Sequence, residues 1–481
     1  MTSNPVSQPD PSTGGTSAGA HEDALRASVA ADFPRTVEQL KSLVSIPGIA
    51  WDSFDPEHLN RSAAAVAELV REAGIDDVQI LRVDNNGTPG GPAVVARRPA
   101  RPGCPTVLLY AHHDVQPPGE RDLWESDPFL AEERNGRLYG RGAADDKAGI
   151  MAHIGALRAL QDVLGEESGV GVTLFIEGEE EAGSPTFRTF LETYQDLLRA
   201  DVIVVADSGN WKVGVPALTT SLRGLVDGTV EVQVLDHAVH SGMFGGPVLD
   251  APTLLARLIA TFHNDAGDVA IEGLVSGDDA AVEYPEADFR ADSSLLDGVQ
   301  LAGTGSIASR LWTKPALSII GIDVPTVAMS SNTIQPKARA KFSLRLAPGQ
   351  SPEAAMEAMA AHVQAHAPFG AKVTFTPGEQ GNAFATDTSA SAARTALWAL
   401  GRAWGVEPVE SGMGGSIPFI ADLVDLFPAA QILITGVEDP DSRAHSANES
   451  LDLNDFRNAI LAEALLLASL GAGDGQASTR P

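Results

Sequence analysis

Apolar side chains recur at spacings of three and four from Asp23 onward, at Leu25, Val29, Phe33, Val37, Leu40 and Val44. This spacing predicts a helix that Pro47-Gly48 stops. A second helix is expected from Pro56 towards Ala73, with Gly74 as its C-terminal stop. Short, continuously apolar runs follow at Thr106–Tyr110, Val170–Ile176 and Val202–Val205, and again at Gln431–Thr435. Helical patterns over Asp146–Val163, Thr186–Leu198 and Ala392–Trp404 separate or flank them. A strand without a polar face must be covered on both sides, so these runs predict an α/β domain with a mostly parallel sheet between helices.

The middle of the chain follows another rule. Gly228–Leu235 and Ala338–Leu346 alternate apolar and polar residues, and Ala371–Thr376 reads as a further strand. Pro252–Phe262 is helical in pattern, and Ser351-Pro352-Glu353 opens another helix with a Ser cap and Pro in the first turn. Two strand–helix units of this kind predict an inserted α+β domain of split βαβ, ferredoxin-like form. The expected division is a Ser/Thr/Pro/Gly-rich tail over 1–20, the α/β domain over 21–216 and 384–470, the insertion over 217–383, and a loose end over 471–481. No internal repeat is present.

Composition narrows the function classes. A chain of 481 residues is too long for one ordinary core. A formal net charge of −31 argues against a nucleic-acid partner, which needs an excess of Lys and Arg. No apolar run reaches membrane-spanning length, and the N-terminal stretch lacks the basic and apolar regions of an export signal, so a cytoplasmic location is expected. The single cysteine, Cys104, leaves no internal disulfide and no thiolate cage, so any metal site must use His and carboxylates.

Such side chains follow the apolar runs directly. Thr106–Tyr110 leads into Ala111-His112-His113-Asp114, Val170–Ile176 into Glu177-Gly-Glu-Glu-Glu181, Val202–Val205 into Ala206-Asp207, and the late run into the loop carrying His445. In a parallel sheet the carboxyl ends of the strands share one edge, where ligand crevices form. His and carboxylate without Cys suit a hydrolytic zinc or manganese site, and the absence of an HExxH helix excludes the single-zinc plan built on it.

Tyr110-Ala-His-His-Asp-Val-Gln-Pro117, Gly140-Arg-Gly-Ala-Ala-Asp-Asp-Lys147, Glu177-Gly-Glu-Glu-Glu-Ala-Gly-Ser184 and Ala444-His-Ser-Ala-Asn-Glu449 resemble the four metal-site motifs of the M20 metallopeptidases. Trp124-Glu-Ser-Asp-Pro-Phe129, His240-Ser-Gly-Met-Phe-Gly-Gly246 and Gly414-Gly-Ser-Ile-Pro418 are similar to segments of the carnosinase and cysteinyl-glycine dipeptidase branch. The resemblance spans residues 35 to 470 and implies a dipeptidase with two divalent ions per subunit, zinc ahead of manganese. It implies that His112 and Asp207 hold one ion, Glu181 and His445 the other, and that Asp145 bridges them while Asp146 opens the next helix. Glu180 would be the general base, and Asp114 would orient His112 through its far ring nitrogen. The inserted domain would be a lid and dimerisation domain. His240 would reach a partner subunit's site in a homodimer and stabilise the oxyanion, and Arg345, Asn332, Gly415 and Ser416 would contact a short peptide substrate.

One departure stands out: Gly412-Met413 occupies the place where carnosinase-like enzymes tend to carry Arg-Glu, which separates this chain from carnosine specificity. Two other functions remain open. An N-acyl amino acid deacylase or amidohydrolase could use the same scaffold, and a catalytically silent metal-binding scaffold could keep the ligands alone. Retention of Glu180 beside every ligand weighs against the second.

Overall fold

The computed structural model describes residues 21–472 apart from Asn86, Asp278, Asp279, Ala281, Ser416 and Ile417. The tail expected over 1–20 and the residues beyond 472 lie outside the described residues. Two compact units emerge. The first runs to Thr219 and resumes over Thr386–Glu410 and from Asp422; the second comprises Thr220–Ala385 with Ser411–Ala421. The sequence reading puts the divisions at 216/217 and 383/384 and assigns the whole of 384–470 to the first domain.

In the first unit the strands lie in the order Asp77–Leu81, Ala93–Arg98, Gly171–Glu177, Thr106–His112, Val202–Val205, Gln431–Ile434 and Ala217–Leu222. The four central strands from Gly171–Glu177 to Gln431–Ile434 are parallel. Ala93–Arg98 and Asp77–Leu81 extend one side antiparallel, and Thr219 faces Ile434 antiparallel on the other. Alternation along the central strands divides the buried residues between two faces. Val107, Leu109, Ala111, Val172, Leu174 and Ile176 join the core formed with the helices Glu22–Val44, Lys147–Leu164 and Leu453–Gly471. On the opposite face Tyr110 and Phe175 pack against Phe187, and Phe190 stacks on Phe175. Such aromatic pairs add about 1 kcal/mol each beyond their burial.

The segment expected as one helix over Thr186–Leu198 is two, Phe187–Thr193 and Gln195–Leu198, with a break at Tyr194. The parallel strands end at His112, Glu177, Val205 and Ile434, so their following loops gather along one edge. Gly436 permits that gathering: a Cβ there would lie 1.5 Å from the Ser208 carbonyl oxygen, which only a glycine tolerates. Among the described residues no helix is long and apolar enough to cross a membrane.

The second unit holds a four-stranded antiparallel sheet in the order Ala316–Asp323, Lys337–Leu346, Gly224–Gln233, Lys372–Gly381. Helices Ala251–Ile259 and Pro352–Ala365 pack on its inner face around Val226, Val230, Phe342 and Leu344. In chain order this is strand–helix–strand–strand–helix–strand, the ferredoxin-like arrangement. The Ser351 hydroxyl accepts from the amide of Ala354, so the cap read from the sequence starts the second helix.

Candidate metal centre

The strand Thr106–His112 is buried along nearly its whole length and delivers a fully buried His112 at its end. Its Nε2 lies 3.0 Å from Asp145 Oδ1 and 3.9 Å from Asp207 Oδ1. The other oxygen of Asp145, Oδ2, lies 3.0 Å from His445 Nε2, which in turn is 3.2 Å from Glu181 Oε2. Asp145 thus turns one oxygen to each imidazole. All five expected ligand residues meet in the first unit, His112 and Asp207 on one side of Asp145 and His445 and Glu181 on the other, so that the two sets share Asp145.

Each ligand is fixed by its surroundings. The Asp114 carboxylate accepts from the amides of Glu180 and Glu181 at 3.1 and 3.0 Å, which sets the turn Glu180–Ala182. One of its oxygens also stands 3.4 Å from His112 Nδ1, and the same nitrogen lies 3.2 Å from the Asp114 carbonyl oxygen. That leaves Nε2, the nitrogen facing the carboxylates, to coordinate a cation. Asp207 follows the strand Val202–Val205. His445 occupies the left-handed region with φ 62°, as do Arg443 and Asn448 in the same loop. Non-glycine residues there cost on the order of 1 kcal/mol each, and surrounding bonds must hold them. Asn448 does so by accepting from the Glu125 amide and donating to the Leu123 carbonyl, at 2.8 and 3.0 Å.

Charge at the centre is unbalanced. Burial, opposed by His112 and reinforced by Asp207, Glu181 and Asp114, pushes the Glu180 carboxyl up to about 8. Burial likewise raises Asp207 to about 6, with Asp145 and Glu181 adding to it. Burial also opposes the charge on Asp145, yet the two imidazoles hold its pKa below the ordinary range. Hydrogen bonds to Asp145 and Glu181 raise His445 to about 11. Two imidazoles therefore face more buried carboxylate than they can neutralise. Divalent cations fit such a donor set of nitrogens and hard oxygens without sulfur.

Three contributors escaped the sequence reading. Gln116 donates to both the carboxylate and the carbonyl of Glu181, at 2.8 and 3.3 Å, and its amide donates to Glu181 Oε1 at 3.1 Å. Glu449 is fully buried and accepts from Arg141 and from the amides of Gly142, Ala144 and Asp145. Lys147 is fully buried and donates to the carbonyls of Leu43 and Ile46 at 2.9 and 2.7 Å, with burial lowering its pKa to about 7. All three stand inside the quoted motifs; the partners of Gln116 and Glu449 lie in other motifs of the set, and those of Lys147 lie outside it. Asp146 stands at the N-cap position of the next helix, as expected, and its side chain has a further partner. It precedes the helix Lys147–Leu164 without capping it by its side chain, and its carboxylate accepts from the His112 amide at 3.2 Å instead. Its ligand oxygen lies within 4.8 Å of those of His112 and Asp207.

The remaining candidates belong to the second unit. His240 is exposed and pairs with Thr333 in a short antiparallel ribbon, and the Asn332 carbonyl accepts from the Ser241 amide at 3.0 Å, so His240 and Asn332 are neighbours. Arg345 stands on the strand Lys337–Leu346 opposite Leu225. Gly415 has open space where a side chain would stand, and the adjacent Gly414 carbonyl accepts from Arg223 Nε at 3.1 Å. Ser416 lies outside the described residues.

A sequence profile described as "Peptidase family M20/M25/M40" matches residues 108–469. A cysteinylglycine-S-conjugate dipeptidase of Corynebacterium striatum is 35% identical over 428 residues, covering 86% of this chain and 92% of that relative. A beta-Ala-His dipeptidase of Rattus norvegicus is 29% identical over 449 residues, covering 86% and 89%. The crystal structure of human carnosine dipeptidase 1 superposes with a TM-score of 0.70 at 25% identity, covering 94% of this chain and 99% of that one.

Proposed function

Because the chain belongs to peptidase family M20/M25/M40, we propose that its metal centre hydrolyses the peptide bond of dipeptides or very short peptides. The observation that carries this reading is Asp145, whose two oxygens each face a different imidazole at 3.0 Å. A carboxylate so placed is a bridge between two cations. In this reading His112 and Asp207 hold one ion, Glu181 and His445 the other, and zinc is favoured over manganese for the mixed nitrogen and oxygen donors. A pair of such ions lowers the pKa of a shared water and polarises the scissile carbonyl.

Glu180 supplies the proton chemistry. It stands beside Glu181 on the same turn, has no role among the ligands, and its raised pKa suits a group that must take a proton and return it. It accepts the proton of the attacking water as the C–O bond forms, and delivers it to the amine as the C–N bond breaks. His240 completes the site from a second subunit. The Gly242 amide donates to His240 Nδ1 at 3.0 Å, so the neutral ring keeps its proton on Nε2, the form needed to donate to an oxyanion. Arg345 takes the free carboxylate of the peptide, with Asn332, Gly415 and Ser416 lining the remainder.

An homodimer follows from this use of His240, and the exposed Met243 and Phe244 beside it support a covered surface. The cytoplasmic setting belongs to the same reading, supported by a lone Cys104 in no disulfide. Residues from 21 to 216 and 384 to 470 form the catalytic domain in this scheme, and 217 to 383 the lid and dimerisation domain.

The test is turnover of a panel of dipeptides and N-acetyl amino acids by protein loaded with Zn²⁺ or Mn²⁺. Dipeptides are hydrolysed, chelation abolishes the activity, and Glu180→Gln keeps both metals while losing at least about a hundredfold in kcat. Hydrolysis of N-acetyl amino acids in preference to dipeptides would transfer the site to a deacylase. A Glu180→Gln enzyme with near-native kcat would remove the base.

A further inference from the structure

A cleft of about 890 Å³ lies in the first unit beside the metal centre, and Glu181 forms part of its wall. Glycines 90 and 91, which precede the strand Ala93–Arg98, line it together with Glu179 and Ala182 from the turn after Gly171–Glu177. That strand is antiparallel to its neighbour, so its entry sits at the same sheet edge as the metal ligands. The cleft therefore opens at the same sheet edge, on the side away from Asp207, and reaches the proposed ligands at Glu181.

Arg82 and Glu179 already have partners, while Asp52 and Ser53 stand exposed in the lining. Arg82 donates to the Gly90 carbonyl at 2.7 Å and to the Asn60 side chain. Glu179 accepts from the amides of Gly91 and Thr186 at 2.6 and 2.8 Å, and from the Thr186 hydroxyl. Beside these polar groups the cleft presents aromatic surface: Trp51 and Phe54 line it while remaining 45% and 37% exposed, in the loop Trp51-Asp52-Ser53-Phe54. Leu59 and Ile49 continue the same wall. Two exposed aromatics facing one cleft are costly in water and mark a surface meant to be covered. Trp51 is also tied to the reacting turn, since its indole N–H donates to the Glu181 carbonyl at 3.2 Å.

We infer that this cleft is the pocket for the side chain of the substrate's amino-terminal residue, and that it selects large apolar or aromatic side chains. The inference rests on the dipeptidase reading, in which Arg345 takes the carboxyl-terminal end of the peptide. The cleft is far larger than a peptide backbone requires, and the walls Trp51 and Phe54 match a ring or a bulky thioether substituent in chemistry.

The experiment compares kcat/KM for Ala-Gly, Leu-Gly, Phe-Gly and S-benzylcysteinyl-glycine with the metal-loaded enzyme. The wild type prefers the two bulky substrates by about tenfold or more over Ala-Gly, the discrimination an apolar pocket provides. Phe54→Ala lowers kcat/KM for Phe-Gly about tenfold more than for Ala-Gly, mainly through KM, and Phe54→Leu recovers part of the loss. Trp51→Phe keeps the apolar wall but removes the bond to Glu181, so it lowers kcat for all four substrates alike. Hydrolysis of all four without a size preference, or a preference untouched by Phe54→Ala, overturns the pocket and leaves the dipeptidase reading intact. No hydrolysis of any dipeptide overturns both.

Discussion

Four donors converge on Glu449: Arg141, at 2.5 Å, and the amides of Gly142, Ala144 and Asp145, at 3.1, 3.0 and 3.2 Å. The carboxylate stands four residues after His445 and pins the backbone of Asp145, so one buried anion sets the spacing between two proposed ligands. Arg141 is itself fully buried, with its guanidinium over the Trp124 ring. Glu449→Gln halves the acceptors and strands that guanidinium, which costs on the order of 3 kcal/mol of stability. Metal affinity is expected to fall about 10- to 100-fold, as for other losses of a group that orients ligands. Calorimetric titration of the folded variant with Zn²⁺ checks this; native affinity at both sites would show that Glu449 only braces the fold. Four of the proposed ligands were readable because each follows an apolar run, whereas Asp145 entered only through the family resemblance. Glu449, Gln116 and Lys147 were not readable, because their partners lie far away in sequence: Arg141 and nearby amides for Glu449, Glu181 for Gln116, and the Leu43 and Ile46 carbonyls for Lys147.

Between elements, the clearest bond is a buried one joining two helices of the first core. His153 on Lys147–Leu164 lies 2.8 Å from Glu463 on Leu453–Gly471, and its other nitrogen lies 3.0 Å from the Tyr110 carbonyl. Burial opposes the charge on His153, but Glu463 outweighs it and raises the pKa. A raised folded-state pKa means that the pair stabilises fully below the ordinary histidine value of about 6.5 and loses that contribution as pH rises through the folded value. Urea unfolding of metal-free protein with and without Glu463→Gln reads the difference directly. The gap between wild type and variant is expected to be widest near pH 6 and to narrow towards pH 9; a gap constant with pH would mean that the histidine is neutral throughout. Legibility at this scale followed burial. The central strands Thr106–His112 and Gly171–Glu177 are buried on both faces and read as continuous apolar runs. The edge strand Asp77–Leu81 has no buried residue, so no periodicity marks it. Ala316–Asp323 escaped for a related reason: its apolar residues Ile320 and Ile322 point to solvent, and alternation about the core is lost.

That same strand bears on the whole molecule. Ala316–Asp323 ends its sheet, and Ile320 and Ile322 are 57% and 52% exposed along it, a combination that invites pairing with another chain. His240 is exposed as well, and in the proposed homodimer a second copy would give both features a purpose. The proposed division of labour can be tested without measuring any interface. In the proposed scheme Glu180 and His240 serve one site from different subunits, so Glu180→Gln and His240→Ala would each inactivate both sites of their own homodimer. In a mixed dimer one site pairs the intact Glu180 of the second variant with the intact His240 of the first. Unfolding and refolding an equal mixture should therefore restore roughly a quarter of wild-type kcat, since half the dimers are mixed and each has one complete site. The two variants refolded separately and then combined provide the baseline. If both residues act within one chain, no pairing rebuilds a site, and the mixture stays as inactive as its parts.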